Sequence, residues 1–196
     1  MIEQELTYQD LRIPSSEIYE AMGYKDSIPD QMVIDETNTL LKRITPLLRP
    51  RFAFFFMEGT LDIEKETLSV LQSIHPPTVN LIQDTIPTRS PEQNTFSTQS
   101  KSTVFSVGKT IARQLRGSEA FVFFAATAGT EFEVFQHTLQ QEGDMVKIYI
   151  ADSLGSIIAE KTADCMEVAL AEYIREKNWK HTNRYSPGYC GWHVSE

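Results

Sequence analysis

The sequence predicts an α+β fold. Short apolar segments at residues 51–58 and 120–126 have the composition of β-strands, whereas apolar residues recur at helical spacing along residues 29–44 and 144–177. Several connections between the strands look antiparallel, and helices lie between the strands, a combination typical of α+β proteins. A chain of 196 residues, 41% of them hydrophobic, can bury a substantial core. We therefore expect one globular domain over residues 1–196.

Helices and strands are predicted in turn along the first half of the chain. A serine after Pro14 predicts the N-cap of the first helix, and Gly23 predicts its end. Prolines close the second helix, and an aromatic segment that ends at Gly59 favours a strand. The predicted elements are a short helix (14–22), a longer helix (29–45), a strand (51–58) and a candidate antiparallel neighbour of that strand (67–74).

The second half of the chain predicts a loop followed by helices and a strand. Residues 84–103 are rich in Ser, Thr, Gln and Asn and contain prolines, which indicates a loop or a ragged hairpin. The elements that follow are a helix (107–115), a buried strand (120–126), a helix (131–141) and a long helix (144–177) in which Ser153–Gly155 is a candidate bend. The side chains of the long helix expected to face the core are those of Ile157, Ala163, Met166, Leu170 and Ile174.

Charge and composition exclude several classes of protein. The net charge of −9 disfavours binding to nucleic acid or to an anionic membrane. The cysteines, Cys165 and Cys190, are too few for a disulfide framework and are expected to be reduced thiols. No secretory signal is evident at the N-terminus, and the longest apolar run, residues 52–57, is too short to cross a bilayer. We expect a soluble cytoplasmic protein.

The segment from Arg184 to His193 combines a guanidinium, aromatic rings, an imidazole and a thiol with a Pro-Gly turn. Pro187 has a fixed φ, and Gly188 can adopt the positive φ that a type II turn requires. Such a turn would direct Arg184 and Tyr189 in set directions, and loops of this composition usually carry function. The alternative is a C-terminal segment whose Tyr and Trp side chains pack on the domain.

The motif Arg-x-x-Pro-Gly-Tyr at residues 184–189 follows a long helix that contains Ala163-Asp164 and Ala171-Glu172-Tyr173. In this position it resembles the activation (reactivation) domain of vitamin B12-dependent methionine synthase. The closer resemblance is to the free-standing bacterial activation domain-like proteins of this family. That resemblance extends from about Ile18 to the end of the chain and includes Gly23-Tyr24, residues 118–129 and residues 150–153.

The resemblance implies a twisted, mainly antiparallel sheet with packed helices. Family members continue past His193 with further strands, so we expect this chain to be truncated at its C-terminus relative to the family. The connection from Tyr173 to Arg184 is also shorter than in the fused enzyme. An aspartate that the fused domain contributes early in its sequence has no clear counterpart here.

The resemblance further implies a ligand and a partner. The arginine of the motif, Arg184, would contact S-adenosylmethionine, and backbone groups near Ser186 would hold its adenine or sugar. Tyr189 would lie where the corrin ring of cobalamin docks, and Gly188, in the turn before it, is counted among the cofactor-binding residues. The cobalamin would be presented by a methionine synthase or a related corrinoid protein, with an electron donor such as a flavodoxin.

The chemistry of the residues is compatible with these roles and with simpler ones. The fork of Arg184 matches a carboxylate, but the residue can equally be a surface ion-pair partner. Tyr189 offers a flat amphipathic ring to a macrocycle, or it anchors the segment in the core. Asp164 and Glu167 share one helix face and could receive the ammonium group of the ligand, although helix carboxylates usually form a solvated face.

Other motifs have less support. Cys190 and His193 form Cys-x-x-His, but a closed zinc site needs four ligands and few remain nearby. Asp152-Ser153 and residues 127–130 are candidate binding loops. The glycines form no Walker or dinucleotide fingerprint, and no nucleophile elbow is present.

Two functions remain open. The first is an S-adenosylmethionine-binding accessory domain that supports reductive reactivation of a cobalamin enzyme. The second is an interaction module that docks on a corrinoid protein without binding S-adenosylmethionine. No nucleophile–base pair is evident, so we expect no independent turnover.

Overall fold

The computed structural model describes residues 1–25, 27–71 and 102–195. Its helices within these residues are α1 (Ser15–Ala21), α2 (Gln31–Ile44), α3 (Gly108–Gln114), α4 (Thr130–Glu142) and α5 (Met145–Arg175), and a 3-10 turn at Thr45–Leu47 follows α2. The strands are β1 (Ile2–Glu5), β2 (Arg51–Met57), β3 (Gly59–Asp62), β4 (Thr67–Leu71), β5 (Ser102–Ser106) and β6 (Phe121–Thr127). The predicted α+β class is confirmed. Most of the segment predicted as a loop or ragged hairpin lies outside the described residues.

The described strands form two three-stranded sheets, ordered β1-β2-β6 and β3-β4-β5. Strand β1 pairs antiparallel with β2, Ile2 lying opposite Phe54, and β4 pairs antiparallel with both β3 and β5. The predicted pairing of residues 67–74 with the strand at 51–58 is seen only at the end of that strand, where the N–H of Leu71 donates to the carbonyl oxygen of Glu58 at 3.1 Å. Strand β4 otherwise pairs with β3 and β5, and residues 72–74 lie outside the described residues. The chain forms the additional strand β3 after Glu58, and the tight connection from β3 makes it the partner of β4.

The chain divides into two compact units. The helical unit comprises Ile2–Phe55 and Phe124–His181, and the C-terminal unit comprises Met1, Phe56–Phe123 and Thr182–Glu196. Each unit is built from segments that are separated in sequence. A single domain over the whole chain stays a prediction.

Helix α5 is the centre of the helical unit. It contacts α1, α2 and α4, and it buries all five residues that the periodicity predicted to face the core, Ile157, Ala163, Met166, Leu170 and Ile174. The helix is continuous through the candidate bend at Ser153–Gly155. Gly155 has no side chain where the ring of Phe132 from α4 packs against the helix. Packing of α4 on α5 thus accounts for this glycine.

The helix ends agree only in part with the sequence-based expectations. Asp144 is the N-cap of α5, its Oδ1 accepting hydrogen bonds from the backbone N–H groups of Val146 and Lys147 at 3.1 and 3.2 Å. Bonds from the backbone and side chain of Lys147 lower the pKa of the Asp144 carboxyl. At α1, by contrast, the N-cap is Pro14 rather than a serine, and no side chain caps the helix.

The C-terminal unit has its own hydrophobic core between β4 and α3. Its buried residues are Leu68, Val70, Val107, Ile111, Ala112 and Phe121. Side chains from the end of the chain, Tyr185 and Trp192, pack against this core. The segment that carries the Arg-x-x-Pro-Gly-Tyr motif is therefore part of the packed structure of this unit.

Candidate functional site

The motif folds as the type II turn that its sequence predicts. The backbone N–H of Tyr189 donates to the carbonyl oxygen of Ser186 at 3.2 Å, and Gly188 has a φ of 96°. A proline at the second position and a positive φ at the third position define this turn type. The prediction that Pro187 and Gly188 order the segment is confirmed.

A second tight turn follows at once and shares Tyr189 with the first. The N–H of Trp192 donates to the carbonyl oxygen of Tyr189 at 2.9 Å, and that of Gly188 donates to the carbonyl oxygen of Trp192 at 2.7 Å. The two central residues, Cys190 and Gly191, have φ values of 53° and 90°, as in a type I′ turn. Residues 186–192, here called the double turn, are thus closed by their own backbone hydrogen bonds.

The double turn is anchored to the C-terminal unit through aromatic side chains. The ring centroids of Trp192 and Phe105 lie 6.2 Å apart at an interplanar angle of 77°, an edge-to-face contact. The ring centroid of Phe105 in turn lies 5.4 Å from that of Phe123. The indole Nε1 of Trp192 is buried and has no hydrogen-bond partner among the described residues. Packing of the ring, rather than a polar contact of its N–H, therefore holds Trp192 in place.

The side chains of the motif differ in exposure. Tyr189 is 70% exposed, which rules out the alternative that it is a core anchor. Ser186 and Gly188 are also exposed, and Arg184 is half-buried. The anchoring role that we considered for Tyr189 belongs to Tyr185 and Trp192. Sequence reasoning recognised that the aromatic residues could pack on the domain, but it could not tell which of them would do so.

The predicted site residues lie in both units. Arg184, Ser186, Gly188 and Tyr189 lie in the C-terminal unit, whereas Asp164 and Glu167 lie on α5 in the helical unit. Both carboxylate residues are half-buried. Ser186, Gly188 and Tyr189 lie in the double turn, and Arg184 precedes it by two residues. The two carboxylates lie together on α5.

Asp164 takes part in an ion-pair network of the helical unit. Its Oδ2 lies 3.6 Å from Nζ of Lys161, which also lies 2.6 Å from Oε2 of Glu17 on α1. The hydrogen bond to Glu17, with the charges of both carboxylates, raises the pKa of the Lys161 ammonium. A cation thus already lies beside the Asp164 carboxylate.

Two candidate binding loops have structural roles. Asp152-Ser153 lies inside α5 and is no loop, so that prediction was wrong: the periodicity of the helix continues through it. The Ser153 side chain is buried and donates to the carbonyl oxygen of Tyr149 at 3.0 Å. At the junction of β6 and α4, Oγ1 of Thr127 accepts a hydrogen bond from the N–H of Gly129 at 3.1 Å.

Neither cysteine belongs to a metal site in the described part of the chain. No group of three or more His, Cys, Asp or Glu side chains is arranged to hold a metal ion in residues 1–25, 27–71 and 102–195. Cys165 is half-buried, and burial raises the pKa of its thiol. Cys190 is exposed in the double turn, and Nδ1 of His193 lies 2.8 Å from Oγ of Ser195. Within the same ranges, no helix has the length and apolar character needed to span a bilayer.

Comparison with known proteins reveals similarity at the level of structure. No protein-family model and no curated protein matches the sequence. The fold is similar to that of a crystal structure of the MetH reactivation domain bound to AdoHcy, with a TM-score of 0.54 and 15% sequence identity. The match covers 96% of this chain and spans 64% of the length of that chain. The chain therefore has the α+β fold of a methionine synthase reactivation domain.

Proposed function

We propose that this protein is an S-adenosylmethionine-binding accessory domain that supports reductive reactivation of a cobalamin-dependent methionine synthase or a related corrinoid protein. The observation that carries the proposal is the likeness in fold, over 96% of the chain, to a reactivation domain that binds AdoHcy. AdoHcy, S-adenosylhomocysteine, is what remains of S-adenosylmethionine once its methyl group has been transferred. Because the two molecules differ only by this methyl group, a fold that binds one of them is suited to bind the other.

Arg184 and the double turn that follows it form the proposed ligand site. Arg184 precedes a turn of defined geometry and is half-buried, and a partly desolvated guanidinium binds a carboxylate more strongly than an exposed one. We assign the carboxylate of the ligand to Arg184 and its adenine or sugar to backbone groups near Ser186. Gly188 is exposed and has no side chain of its own, so it leaves this backbone accessible.

The sequence-based assignment of the ligand ammonium to Asp164 and Glu167 stays a prediction. Both carboxylates lie on α5 in the helical unit, and Asp164 already pairs with Lys161, whose Nζ lies 3.6 Å from its Oδ2. The ligand site that we propose is confined to the C-terminal unit.

The reaction itself belongs to the cobalamin-bearing partner. The partner's cobalamin, reduced by one electron from a donor such as a flavodoxin, would be the methyl acceptor, and S-adenosylhomocysteine would be the product left by S-adenosylmethionine. The contribution of this chain would be to position the methyl donor and to present Tyr189 to the corrin face. The phenol ring is 70% exposed and available for such a contact.

Isothermal titration calorimetry with S-adenosylmethionine and with S-adenosylhomocysteine tests the ligand site. We expect binding to the wild-type chain, a large loss in Arg184→Ala and partial recovery in Arg184→Lys. Arg116→Ala is the matched control, because Arg116 is an exposed arginine of the same unit. Absence of binding by the wild-type chain, or an equal loss in the control, contradicts the proposed site.

The alternative function is a module that docks on a corrinoid protein without binding S-adenosylmethionine. It is favoured by the short connection from Tyr173 to Arg184 and by the lack of a clear counterpart to the early aspartate of the fused domain. A pull-down with a cobalamin-loaded methionine synthase that lacks its activation domain distinguishes the two. Capture of that protein by a chain that shows no calorimetric response to either ligand supports the alternative.

A further inference from the structure

The backbone of the double turn lies close to the start of α3. At Gly108, a β-carbon would lie 2.8 Å from the carbonyl oxygen of Gly191 and 3.2 Å from its Cα. Contacts below about 3 Å are too short for a real β-carbon, and backbone atoms cannot rotate away as a side chain can. The double turn can occupy this position only if residue 108 is glycine.

Of the glycines at this contact, only Gly108 is sterically required. A β-carbon at Gly191 would lie 3.8 Å from Cα of Gly108, an ordinary van der Waals distance, and one at Gly188 would meet only the Val194 side chain at 3.8 Å. The steric requirement therefore rests on Gly108, which precedes the turn by more than 70 residues and has no part in the motif. Gly191 and Tyr189 belong to the same tight turn, which is closed by the hydrogen bond from the Trp192 N–H to the Tyr189 carbonyl oxygen. The contact at Gly108 therefore also fixes the position of Tyr189.

We propose that Gly108 is a positioning residue for the ligand- and partner-binding motif. By admitting the Gly191 backbone, it seats the double turn on α3 and so sets the direction of Arg184 and Tyr189 relative to the C-terminal unit. Trp192, the residue after Gly191, completes this contact with the C-terminal unit by packing against Phe105. The effect on the ligand rests on the function proposed above, whereas the seating of the turn does not.

A matched glycine separates steric exclusion from backbone strain. Gly108 and Gly117 have nearly equal φ values, 76° and 79°, so alanine introduces similar backbone strain at both. At Gly117 a β-carbon would meet nothing within 4 Å. Any difference between Gly108→Ala and Gly117→Ala therefore reports the contact with Gly191.

The seating of the turn is measured by the fluorescence of Trp192 in a Trp179→Phe background, which leaves Trp192 as the sole tryptophan. We expect a red-shifted emission and stronger acrylamide quenching in Gly108→Ala, and wild-type behaviour in Gly117→Ala. In calorimetry with S-adenosylhomocysteine, we expect an affinity loss of about tenfold for Gly108→Ala alone, the loss of one charge-assisted contact. Should Gly108→Ala fail to fold, the Gly108→Asn and Gly117→Asn pair is used, because Asn tolerates a positive φ but keeps its β-carbon.

The outcomes separate this inference from the proposed function. Equal Trp192 emission in the two glycine variants overturns the seating of the turn. Changed emission with unchanged affinity for S-adenosylhomocysteine overturns the positioning role in binding. A wild-type chain that does not bind S-adenosylhomocysteine overturns the proposed function, and the emission then still decides whether Gly108 seats the turn.

Discussion

Trp192 meets Phe105 edge to face, with ring centroids 6.2 Å apart. This contact joins the end of the double turn to strand β5 of the same unit. It leaves Tyr189, three residues earlier, 70% exposed. Aromatic residues of one short segment thus differ in their roles, since Trp192 anchors the turn whereas the Tyr189 ring stays exposed.

The anchoring role of Trp192 depends on its ring and not on its N–H. We expect Trp192→Phe to keep most of the free energy of unfolding, because it retains an aromatic ring and removes a buried donor that has no partner among the described residues. Trp192→Ala removes the packing and is expected to cost about 2 kcal/mol or more, below the range for fully buried aromatics because Trp192 is half-buried. Urea denaturation measures both variants. Equal losses would show that the indole N–H has a stabilising partner.

Tyr189 is expected to matter for docking and little for stability. Its backbone N–H and carbonyl form the turn hydrogen bonds, and alanine retains both groups. We expect Tyr189→Ala to change the free energy of unfolding by no more than about 0.5 kcal/mol and to reduce capture of a cobalamin-loaded methionine synthase in a pull-down. Val168→Ala, which shortens an exposed side chain in the helical unit, is the control. Undiminished capture by Tyr189→Ala would remove Tyr189 from the docking surface.

Arg184 is expected to serve a ligand more than the fold. A guanidinium–carboxylate contact in a partly desolvated site contributes on the order of 1.5–3 kcal/mol, about ten- to a hundredfold in affinity. Arg184→Lys keeps the charge but loses the bidentate fork, so it recovers only part of that affinity. Calorimetry gives the affinity, and a thermal melt of the ligand-free protein gives the stability. A melting temperature lowered by several degrees with unchanged affinity would instead identify Arg184 as a structural clamp.

Gly155 tests the packing of α4 on α5. Alanine is favoured over glycine inside a helix by about 1 kcal/mol, yet a β-carbon at Gly155 would overlap the buried Phe132 ring. Overpacking of this kind costs about 1–3 kcal/mol, so we expect Gly155→Ala to lower the melting temperature. Ser156→Ala, at the adjacent exposed position, is expected to be neutral or slightly stabilising. A gain in stability for Gly155→Ala would mean that the Phe132 ring moves aside freely.

The Lys161 ion pairs predict a pH dependence in the alkaline range. The hydrogen bond to Glu17 is the main reason why the pKa of Lys161 is raised above its ordinary value of 10.5. A raised pKa in the folded state stabilises fully below the unfolded pKa, and this stabilisation is lost as the pH rises through the folded pKa. We therefore expect Lys161→Gln to lower the melting temperature at pH values below the ordinary lysine pKa and to differ less from the wild type as the pH rises through the raised pKa of Lys161. Lys180→Gln, at an exposed lysine, is the control and is expected to show no such convergence.

Local chemistry determined much of this fold and of the candidate site. Pro187 and Gly188 specify a type II turn through their own φ preferences, so the turn could be predicted without any knowledge of its surroundings. The periodicity of α5 likewise predicted its buried face correctly, because a helix of this length presents a repeating stripe to the core. Both features depend on residues within a few positions of one another.

Strand pairing and residue contacts were decided by the tertiary structure. The sequence at Ile2–Glu5 is polar and gives no strand pattern, yet it forms an edge strand because β2 offers unpaired backbone groups to it. Strand β4 pairs with β3 and β5 rather than with β2, a choice that no local pattern encodes. The packing roles of Gly155 and Gly108 could not be predicted from the sequence, because the atoms that exclude a side chain there come from Phe132 and Gly191. The sequence alone therefore determined the buried stripe of α5 and the Pro-Gly turn, because both have local causes. Only the tertiary structure decided where the turn packs and which aromatic ring stays exposed, because those features depend on contacts between residues far apart in the chain.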